Sequence, residues 1–443
     1  METTVTLAAA QADTGDTAWL LAATALVLLM TPGLALFYGG MVRTKSVLNM
    51  LMMSFVSIAL VTIVWLACGY SLAFGDDAFA GLIGGLDHAG MAGLGPDSVQ
   101  GTVPTLLFAT FQLTFAIITA ALISGAIADR AKFGAWLVFV PVWALLVYVP
   151  VAHWTWGPGG WILERLGALD FAGGLPVEIT SGASGLALAL VLGPRLGFKK
   201  DAMRPHNLPM VMLGAGLLWF GWFGFNAGSA LGANGLAAAA FLNTLAAGCT
   251  GLLGWLFVEQ KRDGHPTTLG AASGAVAGLV AITPSCGSVS LLGALVVGLA
   301  AGVVCSYAVG WKFKFNYDDS LDVVGVHLVG GIIGTLLIGV FATATMTGGA
   351  EGLLYGGGLT QLGKQAVAVV AVAAYAFLVT YGIGKVIDKV MGLRASEEQE
   401  HTGLDLTVHA ETAYDHGVLG HGAPVGSSLS SSLPAAQKVK KQA

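Results

Sequence analysis

Asp170, Glu178 and His327 are ionisable residues lying in or at the mouth of apolar stretches long enough to cross a bilayer. Such groups are costly in lipid, so where they occur they usually face a bundle interior or a watery path and mark an ion or proton route. Glu178 could instead cap the outer end of its helix, and a lone His327 could be a hydrogen-bonded core residue. Their corresponding places in two similar stretches of sequence favour a pore lining for both. Asp170 precedes a Gly-Gly turn, where a carboxylate could cap free N–H groups or hold the edge of a cation. A second set of residues is aromatic. Trp156, Phe111 and Ser229 fall where apolar stretches meet the outside or one turn below, Phe115 lies four residues beyond Phe111, and Phe225 lies four before Ser229. Residues four apart share a helix face, and aromatic faces attract a desolvated cation by up to ~2 kcal/mol. The competing reading is the interfacial aromatic belt found in membrane proteins generally.

The elements that must position these residues follow from composition. Of 443 residues, 55% are hydrophobic and 10% charged, against about 25% charged in soluble domains. The 64 glycines are roughly double the usual share, and small residues let helices approach closely in lipid. A net charge of −5 offers no basic face for a phosphate backbone, so nucleic acid is excluded as a partner. Spans of about 17 to 25 apolar residues are expected at 17–39, 49–74, 104–127, 134–153, 174–193, 208–227, 236–258, 267–283, 289–310, 323–345 and 365–390. The chain therefore reads as an all-α integral membrane protein of about eleven transmembrane helices. The first basic residue is Arg43, so the first apolar stretch lacks the positive flank of a signal peptide and reads as a retained helix.

Lys and Arg in short loops stay in the cytoplasm. Arg43 and Lys45, Arg130 and Lys132, Arg195 to Arg204, Lys261 and Arg262, Lys312 and Lys314, and Lys385 to Arg394 all follow odd-numbered spans, whereas loops after even-numbered spans carry Asp76, Asp77, Asp87, Asp97, Glu164, Asp170 and Glu351, with Arg165 as their one positive side chain. This places the N-terminus outside and the C-terminus inside. Two five-helix halves inserted in opposite senses, plus a final helix, would give this alternation. A trace of the repeat is visible: A-L-D-F-A-G-G before span five, with Asp170 followed by Glu178, against S-L-D-V-V-G-V-H before span ten, with Asp322 followed by His327. Transporters built from inverted repeats bind substrate at the repeat interface near the midplane.

Four domain segments are expected: an extracytoplasmic stretch at 1–16, the transmembrane domain at 17–392, a cytoplasmic segment at 393–414 that could dock on the membrane face, and a Ser-rich, disordered tail at 415–443. Cys68, Cys249, Cys286 and Cys305 are scattered singly and suggest neither disulfide framework nor metal site. One rival constellation is G-A-S-G at 182–185, a G-x-S-G with His327 as possible base, which would suggest an intramembrane serine protease. The bland reading is a small-residue helix contact, and it is favoured.

Several longer motifs now fit together. G-W-F-G-F-N-A-G-S (221–229), R-P-H-N-L-P-M (204–210), A-L-D-F-A-G-G (168–174), D-V-V-G-V-H (322–327), E-E-Q-E-H-T-G-L-D (397–405) and T-P-G-L-A-L-F-Y-G-G-M-V-R (31–43) closely resemble the ammonium transporter family (Amt/Mep/Rh), bacterial Amt type, over nearly the whole chain. The resemblance implies an outer cation site of Phe111, Trp156 and Ser229, with Asp170 supporting recruitment or deprotonation. It implies a gate of two stacked rings, Phe115 and Phe225, and a pore in which His327 matches the second of two histidines. Glu178 replaces the first, a departure shared by fungal members, so the two groups titrate as a coupled pair. It further implies ammonium or ammonia as substrate, a homotrimer in the cell membrane, no cofactor, no enzymatic activity, and a P-II-type signalling protein as partner at the cytoplasmic face. A sensor acting through the tail is the alternative, though about fifty residues after the last span are too few for an output domain.

Overall fold

The computed structural model describes residues 11–414; the expected disordered tail at 415–443 lies outside them, as does most of the expected outer segment. Ten helices among the described residues are long and apolar enough to cross a membrane. They are α1 (Thr14–Met41), α2 (Thr44–Phe74), α3 (Thr105–Ile127), α4 (Phe133–Leu166, interrupted after Trp156), α5 (Gly174–Leu192), α6 (Leu208–Gly228), α7 (Gly235–Arg262), α9 (Leu291–Phe315), α10 (Val324–Phe341) and α11 (Thr360–Met391), with the shorter apolar α8 (Thr268–Ile282) between α7 and α9. The expectation of eleven spans therefore meets one short element. At about 1.5 Å per residue α8 falls well short of a hydrocarbon core of about 30 Å. It tolerates this because its residues 272 to 282 are buried in protein, not lipid.

Large apolar side chains such as Ile63, Leu253, Leu292, Val370 and Val390 are exposed on the outside of the bundle, as a surface facing hydrocarbon requires when each helix satisfies its own backbone. Inside, the glycines set the helix spacing. Helices α1 and α6 meet along a seam where a Cβ on Gly214 would run into the backbone of Phe37 and one on Gly33 would stand 3.0 Å from Leu217 Cβ.

Two of these spans, α5 and α10, carry the ionisable pair and are built alike. The Asp170 carboxylate accepts hydrogen bonds from the N–H groups of Gly173 (2.7 Å), Gly174 (2.9 Å) and Leu175 (2.6 Å). Asp319 accepts from Val323 (3.1 Å) and Val324 (2.7 Å). Each carboxylate thus satisfies the orphan donors of a helix start. Each helix then opens with a wide i→i+5 turn, Thr180 N–H to Leu175 and Val329 N–H to Val324. The sequence comparison had aligned Asp170 with Asp322; the counterpart is Asp319, eight residues before His327 as Asp170 is eight before Glu178. Asp322 instead pairs with Lys312 at 2.6 Å.

At one end of the bundle the basic loops converge. Arg43 pairs with Asp129 (2.9 Å), Arg195 pairs with Asp318 (2.8 Å) and lies 3.6 Å from Asp129, and Arg130 reaches Ser320 (2.6 Å). Two short helices, α12 (Glu397–Thr402) and α13 (Leu404–His409), lie across this end. Asp405 accepts from the N–H groups of Leu48 (3.0 Å) and Asn49 (2.8 Å), so the tail caps the start of α2. Glu400 binds Arg394 at 2.8 Å, and His206 is hydrogen-bonded to Tyr414 at 2.9 Å. The opposite end gathers Asp16, which accepts from Thr102 and Ala233, and a two-residue antiparallel ladder in the α2–α3 loop pairing Val99 with Pro104.

Candidate functional site

A vestibule sits at the end opposite the tail, with about 220 Å³ open to the centres of water-sized molecules. Phe108, Gln112 and Phe115 supply one wall from a single face of α3; Trp156, Phe171 and Ser229 supply others. Trp156 is fixed by its indole N–H donating to the Asp170 carbonyl at 3.0 Å. The Ser229 hydroxyl, at the end of α6, donates to the Phe225 carbonyl at 2.8 Å, which leaves its oxygen lone pairs for the vestibule. Phe171 is anchored by its N–H to the Pro284 carbonyl at 3.0 Å. Its ring lies against Gly287, where a Cβ would collide with it.

The floor is aromatic. Phe115 and Phe225 stack with centroids 4.1 Å apart and planes at 27°, and Trp156 meets Phe115 edge-on at 6.1 Å. Phe115 lines the vestibule while Phe225 lines the next cavity, so the stacked pair forms the partition between the two. The inner cavity leaves only about 10 Å³ for the centres of water-sized molecules, about what a single water needs. Met30, Leu34, Leu122, Val177 and Leu218 make it apolar, and Glu178 and His327 are the ionisable side chains on its wall.

Glu178 Oε2 and His327 Nδ1 lie 2.7 Å apart, in hydrogen bond, with the two residues 1% and 5% exposed. The approach depends on glycine. Gly331, one turn beyond His327, would place a Cβ 2.8 Å from Glu178 Cβ, and Gly182, one turn beyond Glu178, would drive one into the backbone of Leu328. The two contacts correspond, as the two aspartate caps do.

The structure thus brings Phe115, Phe225, Trp156 and Ser229 to one vestibule and Glu178 with His327 to one cavity below it. Two expected site residues stand elsewhere. Phe111 is fully buried, edge-on to Phe115 at 4.8 Å, and packs against Gly228 instead of the vestibule. On a helix turning about 100° per residue, the face that presents Phe108, Gln112 and Phe115 turns Phe111 into the flank. Asp170 has its carboxylate engaged by three backbone N–H groups and lines neither cavity; it positions α5 and, through its carbonyl, Trp156. The loop before it is held from α11, where Gln365 both donates to and accepts from Leu169 at 2.7 Å.

The serine of the rival constellation is committed elsewhere. Ser184 Oγ accepts from Trp143 Nε1 at 2.9 Å and shares a 2.8 Å hydrogen bond with Thr380, while the bonded nitrogen of His327 faces Glu178. Gln112, Phe171 and Asp319 were missed by the sequence reading. The equal spacing of Asp170–Glu178 and Asp319–His327 was a usable signal for the third; the first two carry no motif of their own.

Similarity to known proteins covers this whole arrangement. The family described as Ammonium Transporter Family matches residues 18–414. The chain is 54% identical over 435 residues to a Mycobacterium tuberculosis (strain H37Rv) protein named "Ammonium transporter", covering 92% of this chain and 91% of that one. It is 52% identical over 406 residues to the "Ammonium transporter" of Bacillus subtilis, covering 90% and 98%. Among solved structures it resembles Saccharomyces cerevisiae Mep2 with a TM-score of 0.81 at 37% identity, covering 88% of this chain and 89% of that one. A protein titled "Sensor Amt Protein" matches with a TM-score of 0.82 at 29% identity, covering 88% and 97%.

Proposed function

The chain belongs to the Ammonium Transporter Family, and from that premise we propose how this ammonium transporter moves its substrate: ammonium is recruited from outside, gives up a proton, and crosses the inner cavity as ammonia. It is a multi-pass cell-membrane protein, and the vestibule would face the exterior, because the basic loops cluster at the other end. The single observation that carries the reading is the partition. A vestibule with aromatic faces and free oxygen lone pairs is separated by the Phe115–Phe225 stack from an apolar, one-molecule cavity whose lining ionisable groups, Glu178 and His327, are bonded to each other.

Desolvating a small cation costs several kcal/mol even after relaxation, and nothing along the apolar walls offsets that. Ammonium escapes the penalty by shedding a proton. The cation would rest against Phe115, Trp156 and Ser229 and, as it enters between the rings, hand one proton to the Glu178–His327 pair; the neutral molecule follows and hydrogen-bonds to that pair, whose carboxylate and imidazole exchange the proton across 2.7 Å. Potassium has no proton to lose and is excluded. Phe111 supports Phe115 from behind, and Asp170 holds the helix start. The homotrimer and a P-II-type partner at the tail end are carried by family resemblance alone.

The test is ammonium-evoked current from purified protein reconstituted on a solid-supported membrane. Glu178→Gln and His327→Ala are each expected to abolish the current or let potassium contribute to it. Unchanged ammonium currents together with unchanged potassium exclusion in both variants would defeat the relay role.

A further inference from the structure

Among the described residues the vestibule wall carries no side chain with a formal charge. What it offers a cation is ring faces and oxygen acceptors, and the acceptors are few. Gln100 on the same wall is exposed; Trp156, a donor only, gives its indole N–H to Asp170, and Ser229 gives its hydroxyl hydrogen to Phe225. Gln112 differs from all three. The residue is 8% exposed and lines the vestibule one turn above Phe115, and its Oε1 is buried with no hydrogen-bond partner among the described residues. A buried amide oxygen left unpaired costs about 1–3 kcal/mol, so an occupant of the vestibule that donates an N–H to it gains that amount. Because no hydrogen bond holds either end of this amide among the described residues, a half-turn about its last bond exchanges oxygen and nitrogen without breaking one.

We propose that Gln112 is a substrate-binding residue of the vestibule, its amide oxygen accepting one N–H of ammonium while Ser229 Oγ accepts a second and the rings of Phe115 and Trp156 take the remainder of the charge. The inference deepens the proposed function and rests on its outer site. Two oxygen acceptors set beside aromatic faces suit a tetrahedral donor; a quaternary ammonium without N–H groups can use the faces alone. Gln112 therefore contributes to the choice of an N–H cation as well as to affinity.

The experiment uses the full-length protein in reconstituted membranes and measures the ammonium concentration giving half-maximal current, with tetramethylammonium as a competing probe. Gln112→Leu, close in volume, is expected to raise that concentration roughly tenfold, the loss of one hydrogen bond to a charged group, while inhibition by tetramethylammonium stays within about twofold because its ring contacts are untouched. Gln112→Glu keeps an oxygen in place and adds charge, so it should bring half-saturation to or below the wild-type level. It serves as the deciding variant if the leucine protein does not assemble. Trp156→Leu is the control for the outer site itself. If Trp156→Leu weakens ammonium and Gln112→Leu does not, or if Gln112→Glu weakens it, the assignment of Gln112 is overturned while the outer site stands. If neither Trp156→Leu nor Gln112→Leu shifts half-saturation, the outer-site reading fails with it.

Discussion

Asp170 illustrates how one side chain can be read two ways until its partners are known. A carboxylate at the mouth of a pore suggests a cation ligand, yet three of its roughly four acceptor positions go to the N–H groups of Gly173, Gly174 and Leu175. The cap role predicts a specific pattern. Asp170→Ala should destabilise the protein by about 1–2 kcal/mol, the range for losing an N-terminal cap, and lower maximal transport by loosening α5 and Trp156. Asp170→Asn should do less of both, because its amide oxygen still accepts N–H groups. Thermal unfolding in detergent beside current measurements separates the alternatives: a direct cation ligand would raise half-saturation equally in both variants and leave stability unchanged.

The crossing of α5 and α10 is the device that creates the Glu178–His327 pair. Each helix contributes a glycine one turn beyond its ionisable residue, and each glycine receives the backbone or Cβ of the other helix. The wide turns at both starts rotate the following side chains relative to a regular helix, a distortion frequent at functional sites. Replacing Gly331 by Ala is expected to cost about 1–3 kcal/mol through overpacking and to separate Glu178 from His327, with transport falling in step. Gly382 on α11 has nothing within 4 Å of an added Cβ, so Gly382→Ala should leave stability and transport unchanged or gain a few tenths of a kcal/mol. Equal tolerance at both positions, read by thermal melts and uptake, would mean that the close crossing does not set the pair.

Across the whole molecule, the tail end is tied together by buried charge. Burial alone would raise the Asp318 carboxyl, but the hydrogen bonds and charge of Arg195, with Arg130 nearby, outweigh it and hold the group below its usual value of 3.8. Its contribution to stability is therefore complete above the unfolded value and is lost only as pH falls through the depressed folded one. Its neighbour Asp319 is pushed by burial up to about 6; the folded state then binds that proton more tightly than the unfolded chain. Mild acidification from pH 7 to 5 thus adds stability through Asp319 and removes none through Asp318. Asp318→Ala leaves the fully buried Arg130 without its carboxylate and Arg195 with only the longer contact to Asp129, and should cost about 3–5 kcal/mol, by the same amount at pH 7 and pH 5. A penalty that disappears by pH 5, in melting experiments at the two values, would show that Asp318 is not held ionised. The cluster also links the elements of the site to the tail, since Asp318 adjoins the cap of the His327 helix and the Leu196 N–H beside Arg195 is bound by Glu400.

Several of these features were legible in the linear order of residues because they depend on composition and periodicity alone. Long apolar runs demand helices that satisfy their own backbone in lipid, basic residues confined to alternate loops divide the two ends, and an isolated glutamate and histidine at corresponding places in two spans announce a shared interior. Other features needed packing. That Phe115 and not Phe111 faces the vestibule depends on how far α3 is rotated against α1 and α6. That Asp319 and not Asp322 is the partner of Asp170 depends on which carboxylate finds free N–H groups. Gln112 became visible only when its amide was seen without a partner on the wall of a cavity, since whether a polar group is satisfied is fixed by the neighbours that tertiary structure supplies and by nothing in the residue's own sequence surroundings.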